Sequence, residues 1–289
     1  MRTRILIILL AVVIGAGLAS IQALTQQQPP PALTMDKVKD DLYNIVGDGG
    51  NVAVLVTNEG VLLIDDKFEQ DHEQIIAKVK SVTNQPIKYV INTHYHADHS
   101  GGNAKMLMVP AVEIISTANS RKNILEHKQS NAPPGVVPAR ITFTEETSIF
   151  IGGKEVRARF FGRGHTNGDA VIYFPSDRTI HTGDLMAGTS PLIDYNGGGS
   201  AIEWTKTLDA VMAQLDFDTV IPGHGMVTNK AGLMNYRNNI EKLRNRISGL
   251  IRDGKKQDDI AKVMTAEYNW QPNSLQQQWS VPGLMVELK

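Results

Sequence analysis

Apolar residues fall mostly in blocks of four to seven along this chain, short enough for strands, with fewer and longer stretches at helical spacing between them. Leu42 to Val46 reads as a strand, and Asn51–Val56 and Gly60–Asp65 read as a hairpin about the turn Thr57-Asn58-Glu59-Gly60. Glu69 to Val82 carries Ile75, Ile76 and Val79 at helical spacing and predicts a surface helix, which puts His72 in solvent. Ile87 to Asn92 is a short buried strand, Val112 to Ser116 another, and Ala118 to Lys128 a helix that carries a solvated His127. Ala132 to Pro138 is a loop by composition and a candidate flap. The pattern then turns β-rich, through Ile141–Thr144, Ser148–Ile151, Glu155–Phe161, Ala170–Phe174 and Thr179–Thr182, with turns at Gly152-Gly153 and Pro175-Ser176-Asp177. Helices follow at Ala201–Leu215, Ala231–Arg252 and Gln257–Tyr268, with a strand at Thr219–Ile221. Gln271 to Lys289, with Trp279, Val281 and Leu284, packs either on its own domain or on a neighbour. Strands, helix, strand, helix, followed by a similar second set, predict an α/β chain of the αββα sandwich type rather than a doubly wound sheet.

The first residues do not belong to that pattern. Arg2 and Arg4 precede an apolar run from Ile5 to Ala19, and Gln26-Gln27-Gln28-Pro29-Pro30-Pro31 follows it. A basic start, a short hydrophobic centre and small residues before a polar tract are the layout of a secretory signal peptide, residues 1–23, with cleavage after Ala23 or Ala19. An uncleaved membrane anchor is the competing reading. Residues 24–37 read as a Pro/Gln-rich tether, since consecutive prolines favour unpaired extended backbone, and residues 38–289 as the folded domain. Removing residues 1–23 leaves 27 basic and 30 acidic residues, a charge of −3 with no basic patch for nucleic acid. The chain has no cysteine, which excludes disulfides and lipoprotein attachment and leaves only nitrogen and oxygen donors for any metal.

Candidate chemistry concentrates in Thr93-His94-Tyr95-His96-Ala97-Asp98-His99, at the carboxyl end of the Ile87–Asn92 strand. Imidazole nitrogen and carboxylate oxygen are donors that borderline divalent metals prefer. On an extended strand His94, His96 and Asp98 share a face; a turn after Tyr95 also brings His99 inward and divides the four between two adjacent metals. Tyr95 itself is read as a packing residue. Three further donors follow predicted strands and are flanked by glycine, which frees the backbone to turn: His165 after Gly162-Arg163-Gly164, Asp184 after His181-Thr182-Gly183, and His224 in Pro222-Gly223-His224-Gly225. His181 points to the face opposite Thr182 and Asp184 and is read as structural.

In these pieces, together with Val61-Leu62-Leu63-Ile64-Asp65, the chain resembles the metallo-β-lactamase superfamily from about Leu42 to Met226. The resemblance implies that His94, His96 and His165 bind one metal and Asp98, His99 and His224 a second, with Asp184 bridging both. Asp65 resembles a strand-end acid that supports the metal loop from behind, a helix or turn cap being the other reading. Two zinc ions are implied, with iron or manganese as alternatives, and hydroxide held between them as the nucleophile on a small carbonyl substrate. Asp98 would orient that hydroxide and pass a proton to the leaving group. The cysteine-containing class of metallo-β-lactamases has a thiolate where this chain has Asp184, followed three positions later by a carboxylate-binding lysine where this chain has Ala187. An aspartate bridge is the pattern of lactone and thioester hydrolases of the fold. Leu185 to Ser200 is expected to form a mobile pocket rim that carries specificity. The competing readings are an iron-dependent oxidoreductase and a nucleic-acid-processing member; His96 weighs against the diiron type, and the export signal and acidic balance against nucleic acid. The expectation is an exported, periplasmic or secreted hydrolase, at a membrane only if the first segment is uncleaved.

Overall fold

The computed structural model describes residues 31–289 apart from 127, 130–134 and 189. The proposed signal peptide, most of the Gln/Pro tract, His127 and the first three residues of the Ala132–Pro138 flap therefore lie outside the described residues. Seven strands form one sheet in sequence order: β1 (Thr34–Lys37), β2 (Leu42–Val46), β3 (Val52–Val56), β4 (Val61–Ile64), β5 (Ile87–Ile91), β6 (Glu113–Thr117) and β7 (Ile141–Phe143). The first four are antiparallel neighbours; β4 to β7 run parallel. Six strands form a second sheet: β8 (Glu146–Ile151), β9 (Lys154–Phe160), β10 (Ala170–Phe174), β11 (Thr179–His181), β12 (Thr219–Ile221) and β13 (Thr228–Asn229), with β11 and β12 parallel.

Folded structure begins earlier than the sequence suggested. Thr34–Lys37, placed in the tether, pair along β2, and Leu33 is buried just before them. Prolines end at Pro31, so the backbone N–H groups a ladder needs are present from Ala32 onward.

Each strand sends alternate side chains to opposite faces, and the two apolar sets explain the layers. Leu42, Leu55, Leu62, Ile64 and Ile91 meet Val156, Ala158, Ile172 and Ile221 in a core between the sheets. The outer face of the first sheet, with Val54, Leu63 and Val90, is covered by Ile75 and Val79 of α1 (His72–Lys80). Short helices α2 (Ala97–Ser100) and α3 (Asn103–Met106) follow β5, and α4 (Ala118–Leu125) follows β6. The outer face of the second sheet is covered by α5 (Ala201–Gln214), α6 (Lys230–Arg252), α7 (Gln257–Tyr268) and α8 (Val281–Glu287). Ser200 caps α5 by accepting from Glu203 N, and α6 buries Leu233, Tyr236, Ile240, Leu243, Ile247 and Leu250 at three- and four-residue steps. The result is helix, sheet, sheet, helix, the αββα sandwich.

His72 is buried rather than solvated, at 9% exposure, because the chain enters α1 through a one-turn 3-10 helix, Glu69–Asp71, that rotates this position inward. The C-terminal stretch packs on its own domain, with Val281 and Leu284 fully buried. Among the described residues no helix is long and apolar enough to cross a membrane.

Candidate metal centre

The carboxyl ends of β4, β5, β9, β11 and β12 meet at one edge of the sandwich, and the loops leaving them bring all seven predicted donors together. Donor atoms within three groups lie no more than 4.8 Å apart: His94, His96 and His165; His94, His99 and Asp184; and Asp98, His99 and His224.

The hydrogen bonds fix which ring nitrogens face inward. Thr93 Oγ1 donates to Asp65 at 2.7 Å, so at 3.1 Å it accepts from His94 Nδ1. His165 Nδ1 donates to the Leu192 carbonyl at 2.6 Å, and His96 Nε2 to Asp194 Oδ2 at 2.9 Å. The remaining nitrogen of each ring therefore carries a lone pair. His96 Nδ1 lies 3.1 Å from His94 Nε2 and 2.9 Å from His165 Nε2, so three lone pairs converge with no proton between them. Such a contact is repulsive unless a cation sits among them, and uncharged nitrogen donors suit zinc.

The second group balances charge differently. His99 Nε2 is 3.2 Å from Asp184 Oδ1 and 3.6 Å from Asp98 Oδ2, and His224 Nε2 is 3.1 Å from Asp98 Oδ2 and 3.5 Å from Asp184 Oδ1. Asp184 Oδ2 turns the other way, 3.7 Å from His165 Nε2. Burial pushes His94 well below the usual imidazole range, with His99 adding to it, and lowers His165 to about 4. For His99 burial acts in the same direction, but Asp184, Asp98 and Asp65 outweigh it and hold the ring well above that range; Asp184 raises His224 to about 9. Burial opposes the charge of Asp98 and Asp184, yet His99 and His224 keep both carboxyls well below the usual range. Protons on His99 and His224 thus compensate two buried carboxylates, the charge a divalent cation would supply. The donor set fits such an ion in both groups.

Supporting residues explain why the loops hold this shape. Asp65, fully buried, accepts from Thr93 N at 2.7 Å and from His99 Nδ1 at 2.7 Å. Its φ of 64° is left-handed, a costly conformation for a non-glycine residue that aims the carboxylate back at the loop. Tyr95 does more than pack: its buried hydroxyl donates to Asp194. His181 is buried outside the three donor groups, and its Nδ1 accepts from Gly183 N at 3.1 Å.

Three supports were not singled out in the sequence. Asp194 bonds both Tyr95 and His96, from an irregular loop whose only outward sign is Asn196-Gly197-Gly198-Gly199 just after it. Lys67, wholly buried, donates to the carbonyls of Asp48 and Gly50, and burial lowers it to about 8 against the pull of Asp71 and Asp48. Gly50 in turn lies so close to the His99 ring that a Cβ would overlap it. Asn51 Nδ2 donates to Pro222 O and Gly225 O, both at 2.9 Å, which fixes the His224 loop; a Cβ at Gly223 would strike Asp184. A cavity of about 380 Å³ opens beside the cluster, where His96, Asp98, Asp184 and His224 reach its wall.

A sandwich with such a strand-end histidine and carboxylate cluster defines a class, the metal-dependent hydrolases of this architecture. The family model of the metallo-beta-lactamase superfamily matches residues 45–224, more than half of the chain, and the chain belongs to that superfamily. It is 25% identical over 225 residues to a type 2 metallo-beta-lactamase of Elizabethkingia meningoseptica, covering 74% of this chain and 86% of that one. Among solved structures, a metallo-beta-lactamase from Pontibacter korlensis shares the fold with a TM-score of 0.64 at 20% identity, over 72% of this chain and 99% of that one. The FIM-1 metallo-beta-lactamase of Pseudomonas aeruginosa in its mono-zinc form superposes with a TM-score of 0.63 at 18% identity, over 74% and 97%.

Proposed function

We propose that this chain is an exported di-zinc hydrolase of a small carbonyl compound. The observation that carries the reading is Asp184, whose Oδ2 faces His165 in the first group while its Oδ1 faces His99 and His224 in the second. One carboxylate shared between two donor groups is the arrangement two adjacent cations require. His94, His96 and His165 would hold one zinc, Asp98, His99 and His224 the other, with Asp184 common to both. Bound zinc supplies Lewis acidity and a nucleophile at neutral pH, by lowering the pKa of water from 15.7 to about 7.

The chain's own residues do the rest. Asp98 reaches both the cluster and the cavity, with its side chain 23% exposed, and its depressed pKa keeps it ionised. It orients the attacking oxygen and carries a proton to the leaving atom. Asp65 accepts from His99 Nδ1 and Asp194 from His96 Nε2, so His99 Nε2, once a cation replaces its proton, and His96 Nδ1 are the nitrogens that would face a metal. An aspartate bridge, with Ala187 rather than lysine beside the cavity, favours an ester, lactone or thioester over a lactam. Export rests on the basic, apolar and then Gln/Pro-rich order of residues 1–31.

The deciding experiment measures initial rates on a chromogenic cephalosporin and on a simple thioester, with protein shown to hold two zincs, beside Asp98→Ala. Turnover of either, lost in the variant, supports the hydrolase. Failure on both by two-zinc protein overturns the hydrolase reading, and a protein that takes up only one zinc overturns the di-zinc reading. Amino-terminal sequencing of the periplasmic protein, expected to begin after Ala19 or Ala23, tests export.

A further inference from the structure

The family match ends at residue 224, yet one wall of the cavity comes from residues 275–279, far beyond it. Leu275, Gln276 and Trp279 line the cavity together with the donors, and the Trp279 ring centroid is 5.6 Å from that of His96. Trp279 sits in a single turn of π-helix, Gln276–Ser280, a widened turn that recurs at functional sites, and it is partly buried, between exposed Gln278 and buried Ser280.

This wall is fastened to the site rather than laid over it. Ser280 Oγ, fully buried, accepts from Ile193 N at 2.9 Å. Glu287 accepts from Tyr195 OH at 2.5 Å, from Ala201 N at 2.9 Å and from Ser200. Gly283 lies against the Tyr195 ring with no room for a Cβ. The segment that presents Trp279 is thereby joined to the loop that carries Asp194 and, through it, to His96.

The chemistry of the cavity is lopsided. Apart from the histidines, its lining contains two carboxylates and no lysine or arginine among the described residues; the polar groups away from the donors are uncharged, Gln129, Ser190 and Gln276, and the apolar ones are Leu192, Leu275 and Trp279. Lys128 borders a neighbouring cavity that shares Trp279, where it is 3.3 Å from Glu126. A substrate with a second anionic group remote from its carbonyl would find no cation there, and desolvating that group without a partner is costly. A flat or apolar group would find an indole face.

We propose that Trp279, with Leu275, is a specificity-determining surface that selects uncharged carbonyl substrates bearing an aromatic or bulky apolar acyl group. This rests on the hydrolase reading above and names the substrate class of that site.

Four thioesters test it: phenylacetyl and acetyl esters of methyl thioglycolate, and the same pair of thioglycolate, whose free carboxylate adds a charge. Wild type is expected to favour phenylacetyl over acetyl, and the methyl ester over the free carboxylate, each about ten-fold in kcat/KM. Trp279→Ala should erase the first preference through KM and leave the acetyl methyl ester within about two-fold, while Trp279→Phe keeps most of it. Equal preference in wild type, or an equal loss on all four in Trp279→Ala at unchanged zinc content, overturns the proposal and leaves the hydrolase standing. If two-zinc protein cleaves none of the four and not the cephalosporin either, the hydrolase reading falls instead. Calorimetric titration with phenylacetone, an uncleavable neutral carbonyl, then decides: binding weakened about ten-fold in Trp279→Ala supports the surface, and unchanged binding overturns it.

Discussion

Asp65 and Asp194 grip the histidine loop at its two ends and at its middle by the same chemistry, a buried carboxylate that accepts an imidazole N–H, yet they hold different amounts of it. Asp65, at the end of β4, bonds His99 directly and reaches His94 through the Thr93 hydroxyl, so it serves both donor groups. Asp194, in the loop before α5, bonds His96 and Tyr95 and serves the first group alone. Their foundations differ too. Asp65 is carried by a strand in the middle of a seven-stranded sheet, whereas Asp194 is held by loop contacts and by the C-terminal segment. The first acid belongs to the donor cluster; the second joins that cluster to the cavity wall formed by the C-terminal segment.

Removing a donor outright should have the largest effect and sets the scale for the comparison. His165→Ala leaves His94 and His96 without a third partner, and about 10³-fold of kcat/KM is expected to be lost in initial-rate assays on whichever substrate is turned over. Retention of more than a tenth of the rate would mean that the first group is not the one that acts.

The two acids should then separate cleanly in metal binding. With two zincs bound as proposed, Asp65→Asn is expected to weaken both by about 10–100-fold, so that a chelator competition titration shifts in both of its steps. Asp194→Asn should shift one step by a similar factor and leave the other in place. Identical titrations for the two variants would show that the acids are not divided between the groups as their hydrogen bonds suggest.

The acid that sequence could find is the one on regular structure. Val61-Leu62-Leu63-Ile64 is a strand on any hydrophobic pattern, and an acid at its end has a place in the architecture. The seven candidate donors that the structure brings together were visible for the same reason: each follows a strand, with glycine or a dense histidine run to mark it. Asp194 and Trp279 had no such frame. Asp194 sits in an irregular loop, and Trp279 in a π-turn that no hydrophobic period encodes, so both depend on contacts between segments tens of residues apart, such as Ile193 with Ser280. His72 and Tyr95 were misread at the same level: a helix start rotated by one 3-10 turn, and a hydroxyl whose partner lies 99 positions away.

His181 gives a stability test at the Asp65 end of the site. It is fully buried, and burial lowers it to about 4, while its Nδ1 must stay unprotonated to accept from Gly183. In the unfolded chain the ring takes up a proton near its ordinary pH of 6.5, but in the folded protein only near 4, so the unfolded state binds the extra proton between these values and stability falls as pH drops through that window. The loss attributable to this ring is about 3 kcal/mol at most. Urea unfolding of metal-stripped protein at pH 7 and pH 4.5 should show a smaller acid loss in His181→Gln than in wild type. Parallel slopes would place the acid sensitivity elsewhere.

The smallest expected effect probes the Asp194 end from a distance. Glu287 touches none of the donors, but its carboxylate gathers Ser200, Ala201 N and Tyr195, the residue next to Asp194, and so ties α8 to the loop. Glu287→Gln keeps the shape and removes the charge that strengthens these bonds, at a cost of about 1–2 kcal/mol in thermal or urea unfolding. If Asp194 is positioned through this tie, the variant should also weaken by a few-fold the same zinc step that Asp194→Asn weakens, and spare the step that only Asp65→Asn affects. A loss of stability with both zinc steps unchanged would confine Glu287 to fastening the wall, and would show that the loop holds Asp194 in place through its own bonds, Gly197 N donating to Asp194 Oδ1 at 2.9 Å and Asp194 N donating to His165 O at 2.9 Å.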